Sequence, residues 1–558
     1  AAGEAPVKAT MPLGDFLVAY LKRIGVERLF GIPGDLVLNL FLRFGKPRGL
    51  PIVTLSHEPG VGFAADGYAR STRRLGVICV TYGAGGHNMV NPIAGAFSEK
   101  VPLLVLSGGP GEEERKLGAL IHHQAKEIES QFRIYQELTC AAAVLDDPRT
   151  AAEEVDRVVR AIHHHYRPGY LEIHRDAVER PIPVPAALRR WDGTFPPRRA
   201  DRQRVAEAVR ETAAWLNRAR RPVVIAGVEV QRFGVRKELV ALVERLGIPC
   251  LTTVLAKGVF PMDHPQHMGI HIGPLSHPAI RRRVAAADLV LYLGAFLTDV
   301  DLGNQPLTIA RHRSIWAMDD RVEISFHSYA DVPLADFVRG LLKTPLRAHP
   351  ERVTYCDNLP PPRKGGDGIT VAEVLQEVNR FLRGRRDYLV TADSGDAIFG
   401  GLEIRMSGMA AYLAQGYYAS MGFAVPGALG AQMGTGLRPL ILCGDGAFQM
   451  TGYEIAHAPR YGLNPVVILL NNGGWGIFQP LAARPDLLAL PSWRYAALAR
   501  LWGGAGYEAG TALALREALQ AADRERRFVI IEVPIAPGDL SPLARRFFTA
   551  RRAPRRSR

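Results

Sequence analysis

Pro439-Leu-Ile-Leu-Cys-Gly-Asp-Gly446, followed by Val466-Val-Ile-Leu-Leu-Asn-Asn-Gly-Gly474, decides the class of this 558-residue chain. Each stretch is a short apolar run that stops at Gly, Asp or Asn, the turn chemistry that ends a strand. Nearly continuous apolar strands are buried on both faces, as in parallel sheets covered by helices. Similar runs recur at 75–82, 101–107, 222–226, 289–293, 388–391 and 528–533, with amphipathic helical patterns between them. The expected fold class is α/β.

A chain of this length exceeds one hydrophobic core. Two stretches break the pattern: 180–199, rich in Pro and Arg, and 346–368, with Pro360-Pro361-Pro362 and Gly365-Gly366. Proline continues neither a helix nor a central strand, so both read as linkers. Three doubly wound parallel-sheet domains are therefore expected, at 8–185, 200–345 and 366–545, with a basic tail at 546–558. The middle one opens on Pro222-Val-Val-Ile-Ala-Gly227, strand into glycine turn, but lacks a full GxGxxG, so plain α/β structure is the simpler reading.

The formal charge is +14, yet seven arginines lie within 545–558, where there is no acid. A solvated tail explains this better than a nucleic-acid surface. No apolar run approaches the roughly 20 residues of a membrane helix. Cys79, Cys140, Cys250, Cys356 and Cys443 are scattered without CxxC spacing, and residues 1–12 show no secretory pattern. A cytoplasmic protein with neither nucleic acid nor membrane as partner is expected.

Asp445 and Asn472 both fall at strand C-terminal ends, the rim where open α/β sheets bind ligands. A hard cation such as Mg²⁺ takes oxygen ligands. The side chains of Asp445 and Asn472 can supply two, the Gly474 carbonyl a third, and a diphosphate the rest. Singly, each cluster is ordinary turn chemistry. Gly-Asp-Gly followed after about 25 residues by Asn-Asn points to a cofactor instead.

That pair resembles the thiamine diphosphate (ThDP) motif, and the resemblance extends over nearly the whole chain to the ThDP-dependent 2-keto acid decarboxylases, in detail to bacterial phenylpyruvate and indolepyruvate decarboxylases. It is carried by Phe30-Gly-Ile-Pro-Gly-Asp35, Leu55-Ser-His-Glu-Pro-Gly60, Ala64-Ala-Asp-Gly-Tyr-Ala-Arg70, Thr81-Tyr-Gly-Ala-Gly-Gly86, Asn88-Met-Val-Asn91, His122-His123-Gln124, Gly416-Tyr-Tyr-Ala-Ser-Met-Gly422 and Gly444-Asp-Gly-Ala-Phe-Gln-Met-Thr-Gly452. Such enzymes order a pyrimidine-binding domain, a central domain of degenerate dinucleotide-binding type and a diphosphate-binding domain. The resemblance implies ThDP and Mg²⁺ as cofactors and a cofactor-binding set of Asp396, Ala419, Met421, Asp445, Gly446, Ala447, Asn472, Gly474, Trp475, Gly476 and Ile477.

It also implies that Glu58 reaches N1′ of the aminopyrimidine as a proton carrier, a role that burial of a carboxyl would favour. A cap at the start of a helix is the plainer reading. Met421 becomes the wedge that bends the cofactor, with the Ala419 carbonyl and Met421 amide on the pyrimidine edge. Met on an apolar stretch is otherwise core filler. His122 and His123, with Asp35 as acidic companion, become the groups that move protons in decarboxylation, since imidazole titrates where both proton gain and loss can run. With Glu58 and Asp445 in different domains, the resemblance implies a site shared across a subunit boundary, hence a homodimer at least, and a tetramer as a dimer of dimers. The run His163-His164-His165 has metal-like composition, but consecutive residues point around a helix and cannot converge on one ion.

The match departs after Asn472. A helix there usually brings an acid to the substrate, whereas Gly473-Gly-Trp-Gly-Ile-Phe-Gln-Pro480 has extra glycines, an early proline and no carboxylate. Phe478 stands near the acid's place, and an apolar wall suits an aryl side chain. His277 is a weak further proton carrier; a surface loop histidine is the simpler reading. The expected activity is decarboxylation of an aromatic or bulky 2-keto acid to its aldehyde. A ThDP carboligase or acyl transferase is the alternative, and a non-catalytic ThDP-binding relative a third.

Overall fold

The computed structural model describes residues 8–303, 305–306, 310–363, 368–408, 412–481 and 484–552. The chain packs as two compact units. One comprises Ala1–Pro197 with Pro426–Gly436 and Thr451–His457, the other Arg198–Val425, Leu437–Met450 and Ala458–Arg558.

The first unit is built on a six-stranded parallel sheet in the order Ile52–Val53, Leu29–Gly31, Gly76–Val80, Leu103–Gly109, Gly169–His174, Ala141–Val144. Helices such as Leu13–Arg23, Glu58–Thr72 and Ala151–His165 cover it. The stretch 426–436 joins this unit through glycines: a Cβ on Gly67 would collide with the Gly427 carbonyl, and one on Gly430 with the Ala64 carbonyl. Only backbone fits where these segments meet.

The second unit holds two sheets. A six-stranded one, wholly parallel, runs Tyr412–Leu413, Tyr388–Ala392, Arg438–Gly444, Val466–Asn471, Val529–Pro534, Ala505–Glu508. The other has seven strands: His267–Ile270, Cys250–Thr252, Pro222–Ala226, Leu289–Leu293, Ser314–Met318, Arg321–Ile324, His327–Ala330. Its alternate residues serve two cores, Val224 and Ala226 in one, Val223 and Ile225 in the other, as expected of a sheet covered on both faces.

Three α/β sheets thus stand where the apolar runs lie, with three differences from expectation. The seven-stranded sheet ends in antiparallel strands, because only Ser325 and Phe326 separate Ile324 from its partner His327, and a two-residue connection can only reverse the chain. Within 180–199, Pro181–Pro183 pairs with Thr10–Pro12, and Ala186–Arg190 is helical. The expected basic tail begins inside a helix, Pro542–Arg552, whose Phe547 and Phe548 are buried in the second unit's core; two aromatics outweigh the solvation of neighbouring arginines. Residues 553–558, and the expected linker glycines Gly365 and Gly366, lie outside the described residues. Among the described residues no helix is long and apolar enough to cross a membrane, and all five cysteines are free.

Candidate active site

In the second unit, strands Arg438–Gly444 and Val466–Asn471 are adjacent and parallel, with Gly444 opposite Leu470. Asp445 and Asn472 therefore emerge at the same edge. Asp445 is buried; its Oδ1 accepts the Gly446 amide at 2.9 Å and its Oδ2 the Gly474 amide at 3.0 Å. Asn472 Oδ1 accepts that same Gly474 amide at 3.2 Å. Burial pushes the Asp445 carboxyl up, against the pull of the Gly446, Gly474 and Gly473 amides. The preceding Asn471 turns away: its amide donates to Glu532 at 2.8 Å, so the two asparagines divide into a structural and a rim residue.

The turn after Asn472 is tied down by 488–490. The Trp475 amide donates to the Leu488 carbonyl at 2.8 Å and the Leu490 amide to the Gly473 carbonyl at 3.0 Å. A Cβ on Gly446 would run into the Trp475 ring, and one on Gly476 into the Asn472 side chain. Ala447 is buried in the first turn of helix Asp445–Thr451. Ile477 packs against the unit's core, while Phe478, on the 3₁₀ turn Gly476–Leu481, is 48% exposed. In place of a long helix the segment forms a six-residue 3₁₀ helix with Pro480 inside it.

Ala419 adopts φ 57°, uncommon for a residue with a Cβ. Its carbonyl accepts the Ser394 hydroxyl at 2.6 Å. Beside it, Asp393 accepts the amides of Ser394 at 2.8 Å, Gly422 at 2.9 Å and Ala424 at 2.8 Å, and so fixes the backbone that follows Met421. Burial pushes the Asp393 carboxyl up to about 6 despite these amides. Sequence reasoning missed Asp393, although it follows strand Tyr388–Ala392 as Asp445 follows its own strand. Asp396, in contrast, turns its carboxylate to the Ser541 amide at 2.8 Å and the Ser541 hydroxyl, at the head of the last helix. Any cofactor role then falls to the backbone amides opening helix Asp396–Glu403, which have no partner within the helix ladder.

In the first unit, His122 Nε2 hydrogen-bonds Asp35 Oδ2, and His123 Nε2 lies 3.7 Å from Asp35 Oδ1. The imidazole centroids are 4.9 Å apart. Burial works to raise the Asp35 carboxyl, but the His122 hydrogen bond, the Leu36 amide and both imidazoles outweigh it and hold it below the usual range. These three residues form a cluster of metal-ligand spacing, but a hydrogen bond already joins two of them.

Glu58 opens helix Glu58–Thr72, with its side chain 15% exposed and accepting the Asn88 amide at 3.2 Å. The residue behind it is Glu454, wholly buried, which accepts the amides of Ser56 at 2.8 Å and His57 at 3.1 Å. A Cβ on Gly60 would strike its carboxylate. Glu454 thus caps the helix that Glu58 begins, although His57 at the N-cap position makes no side-chain cap of its own. No local pattern marked it, because its partners are some 400 residues away.

The other histidines singled out in the sequence make structural contacts. His163 stacks on Phe195 with centroids 4.5 Å apart, and His164 and His165 meet edge to face. His277 Nδ1 accepts the Ala279 amide at 3.2 Å, capping helix Pro278–Ala285. It also lines a cavity of about 1120 Å³ with Pro360, Arg363, Gln376 and Arg546, whose described lining includes no residue of the cofactor set.

Along most of its length the chain matches the thiamine pyrophosphate enzymes. Residues 11–134 match the family's N-terminal TPP binding domain, 209–344 its central domain and 397–533 its C-terminal TPP binding domain. The chain is 39% identical over 551 residues to the indole-3-pyruvate decarboxylase of Azospirillum brasilense, covering 96% of this chain and 98% of that protein. It is 28% identical over 515 residues to pyruvate decarboxylase 1 of Zea mays, covering 89% and 82%, and 28% over 506 residues to pyruvate decarboxylase 4 of Arabidopsis thaliana, covering 89% and 83%. The chain belongs to the ThDP-dependent 2-keto acid decarboxylases.

Proposed function

We propose that the protein decarboxylates an aromatic or bulky 2-keto acid, of the phenylpyruvate or indolepyruvate type, to the aldehyde and CO₂, using ThDP and Mg²⁺. The observation that carries the substrate class is Phe478, a half-exposed aromatic on a turn that has no carboxylate. The name of the Azospirillum relative agrees with it.

The donor set suits the cofactor. Asp445 and Asn472 aim side-chain oxygens at one point, and hard oxygens with lone pairs to spare are what Mg²⁺ requires. Asp445, Asn472 and the Gly474 carbonyl would hold the ion, with backbone at Gly446, Ala447, Trp475, Gly476 and Ile477 around the diphosphate. The Ala419 carbonyl and Met421 amide would hold the pyrimidine edge, and Glu58 a proton at N1′. When bound, ThDP supplies the electron sink that accepts the pair left by departing CO₂. His122, His123 and Asp35 deliver a proton to the carbon that loses its carboxylate and take one from the hydroxyl that becomes the aldehyde oxygen. Phe478 packs the substrate side chain and excludes water. Because Glu58 and Asp445 belong to different units, we take the active form to be a homodimer that pairs into a tetramer, with cytoplasm as its location and residues 8–185, 200–345 and 366–545 as its domains.

Purified protein with ThDP and Mg²⁺ tests this. CO₂ and aldehyde are expected from phenylpyruvate and indolepyruvate in preference to pyruvate; absence of CO₂ from both aromatic acids overturns it. The missing carboxylate in 473–480 favours one second reading, carboligation, in which a second carbonyl rather than a proton meets the reacting carbon. An added acceptor aldehyde would then give acyloin as the main product.

A further inference from the structure

We infer that Gln131 is a positioning residue for the His122–His123 pair, acting through the backbone of Gly83; this rests on reading that pair as the proton carriers.

Gln131 lies on helix Ser130–Leu138 and is wholly buried. Its Oε1 accepts the Gly83 amide at 2.7 Å. Because an amide N–H can only donate, this contact fixes which way the side chain faces. Its Nε2 must then donate to Ser107 Oγ at 2.8 Å and to the Tyr170 hydroxyl at 2.7 Å. The Ser107 hydrogen passes to the Gly108 carbonyl at 2.9 Å, the Tyr170 hydrogen to Glu172 Oε2 at 2.9 Å, and Glu172 Oε1 accepts Arg115 at 3.2 Å. Each polar atom of the Gln131 side chain is thus partnered, with its orientation fixed by the Gly83 amide. A fully satisfied buried network of this kind is rigid.

What it holds is the floor of the imidazole cluster. Gly83 has φ 66°, and the place where its side chain would begin is taken by the carbonyl and Cβ of His123. His123 itself sits at φ 69°, which neighbours must impose on a residue with a Cβ. Two residues on, a Cβ at Gly85 would lie 3.3 Å from Glu58 Oε1, and the Tyr135 hydroxyl donates to the Gly86 carbonyl at 2.7 Å. The loop is therefore pinned at two points: Gln131 holds Gly83, against which His123 lies, while Tyr135 separately holds Gly86 beside the stretch that faces Glu58. Rotation of the peptide before Gly83 would displace the His123 backbone directly.

Gln131→Leu keeps the volume and removes all three hydrogen bonds, while Gly83→Ala pushes on His123 without touching the network. Both are expected to lower kcat for phenylpyruvate by about 10- to 100-fold, the scale of an ångström's misplacement of a reacting group. ThDP affinity by calorimetry and hydrogen–deuterium exchange at C2 of bound ThDP should stay within about twofold, since neither uses the imidazoles. In histidine-labelled protein, the ring resonance lost in His123→Ala should shift in Gln131→Leu. Tyr170→Phe, which leaves the Gln131–Gly83 bond in place, should retain kcat within about twofold and leave that resonance unmoved. Wild-type kcat in folded Gln131→Leu, or an equal loss in Tyr170→Phe, overturns the inference; if Gln131→Leu does not fold, wild-type kcat in Gly83→Ala does so. Wild-type turnover in both His122→Ala and His123→Ala would instead sink the underlying reading of the pair.

Discussion

Asp445 and Asn472, on neighbouring strand ends, share one hydrogen-bond donor: the Gly474 amide lies 3.0 Å from Asp445 Oδ2 and 3.2 Å from Asn472 Oδ1. Two acceptors drawn to a single hydrogen are each left with lone pairs, and Asp445 with partly compensated charge, so that a divalent cation would satisfy both. Asp445→Asn keeps the shape but removes the charge. The apparent Kd for ThDP in the presence of Mg²⁺ is expected to rise about 10- to 100-fold, the usual cost of disturbing a metal site. Calorimetric titration measures it, and chelation should release ThDP from the wild type by the same route.

Much of this site is legible in the sequence because strand-end chemistry is local. Asp445 and Asn472 each follow an apolar run, and parallel pairing of those runs does the rest. Asp393 follows the same rule and escaped notice only because Asp-Ser-Gly also reads as a turn. Glu454 and Gln131 are another matter. Their partners, Ser56 and Gly83, are distant in the chain or reached only through tertiary packing, and a buried carboxylate or amide on a helix carries no mark of what it will meet. The end of the chain misled for a related reason. Its arginines dominate composition, whereas Phe547 and Phe548 dominate burial.

Glu454 is expected to act on both stability and catalysis, and the two effects can be separated. Glu454→Ala leaves the Ser56 and His57 amides without their acceptor, so unfolding free energy should fall by about 1–3 kcal/mol. Because those residues precede Glu58, C2 exchange on bound ThDP should also slow. Denaturant titration reads the first effect and NMR the second; normal exchange in a destabilised variant would restrict Glu454 to capping.

Lys257 gives a pH dependence of defined sign. It is buried, and its Nζ donates to the carbonyls of Leu402 at 3.0 Å and Ile404 at 2.6 Å, near the end of helix Asp396–Glu403. Burial pushes its pKa down to about 7 from 10.5, with Glu403 opposing and Arg405 adding to the shift. The unfolded chain therefore takes up this proton at a higher pH than the folded one. The folded-state penalty is complete below about 7 and fades as pH rises toward 10.5. Relative to Lys257→Met, the wild type should gain up to about 1.4 kcal/mol per pH unit between pH 7 and 9. Paired urea titrations across that range measure the difference, and a flat difference would show that Lys257 stays charged in the fold.

Phe478 offers the sharpest test of substrate class, because its turn is where this chain parts from the rest of the pattern. Pro480 and Gly476 confine the segment to a short 3₁₀ helix, so position 478 is set by backbone and its side chain can be exchanged without disturbing a longer helix. An aryl substrate gains from apolar contact there, and pyruvate, with only a methyl group, gains little. Phe478→Ala should therefore lower kcat/KM for phenylpyruvate by about tenfold while leaving pyruvate nearly unchanged, since about 1.4 kcal/mol of lost contact is tenfold in rate. Phe478→Glu should go further, setting a charge against the ring and moving the preference toward short keto acids. The ratio of the two kcat/KM values is the measurement, because a general loss of activity cancels in it. A ratio unmoved in both variants would mean that the aryl group binds elsewhere.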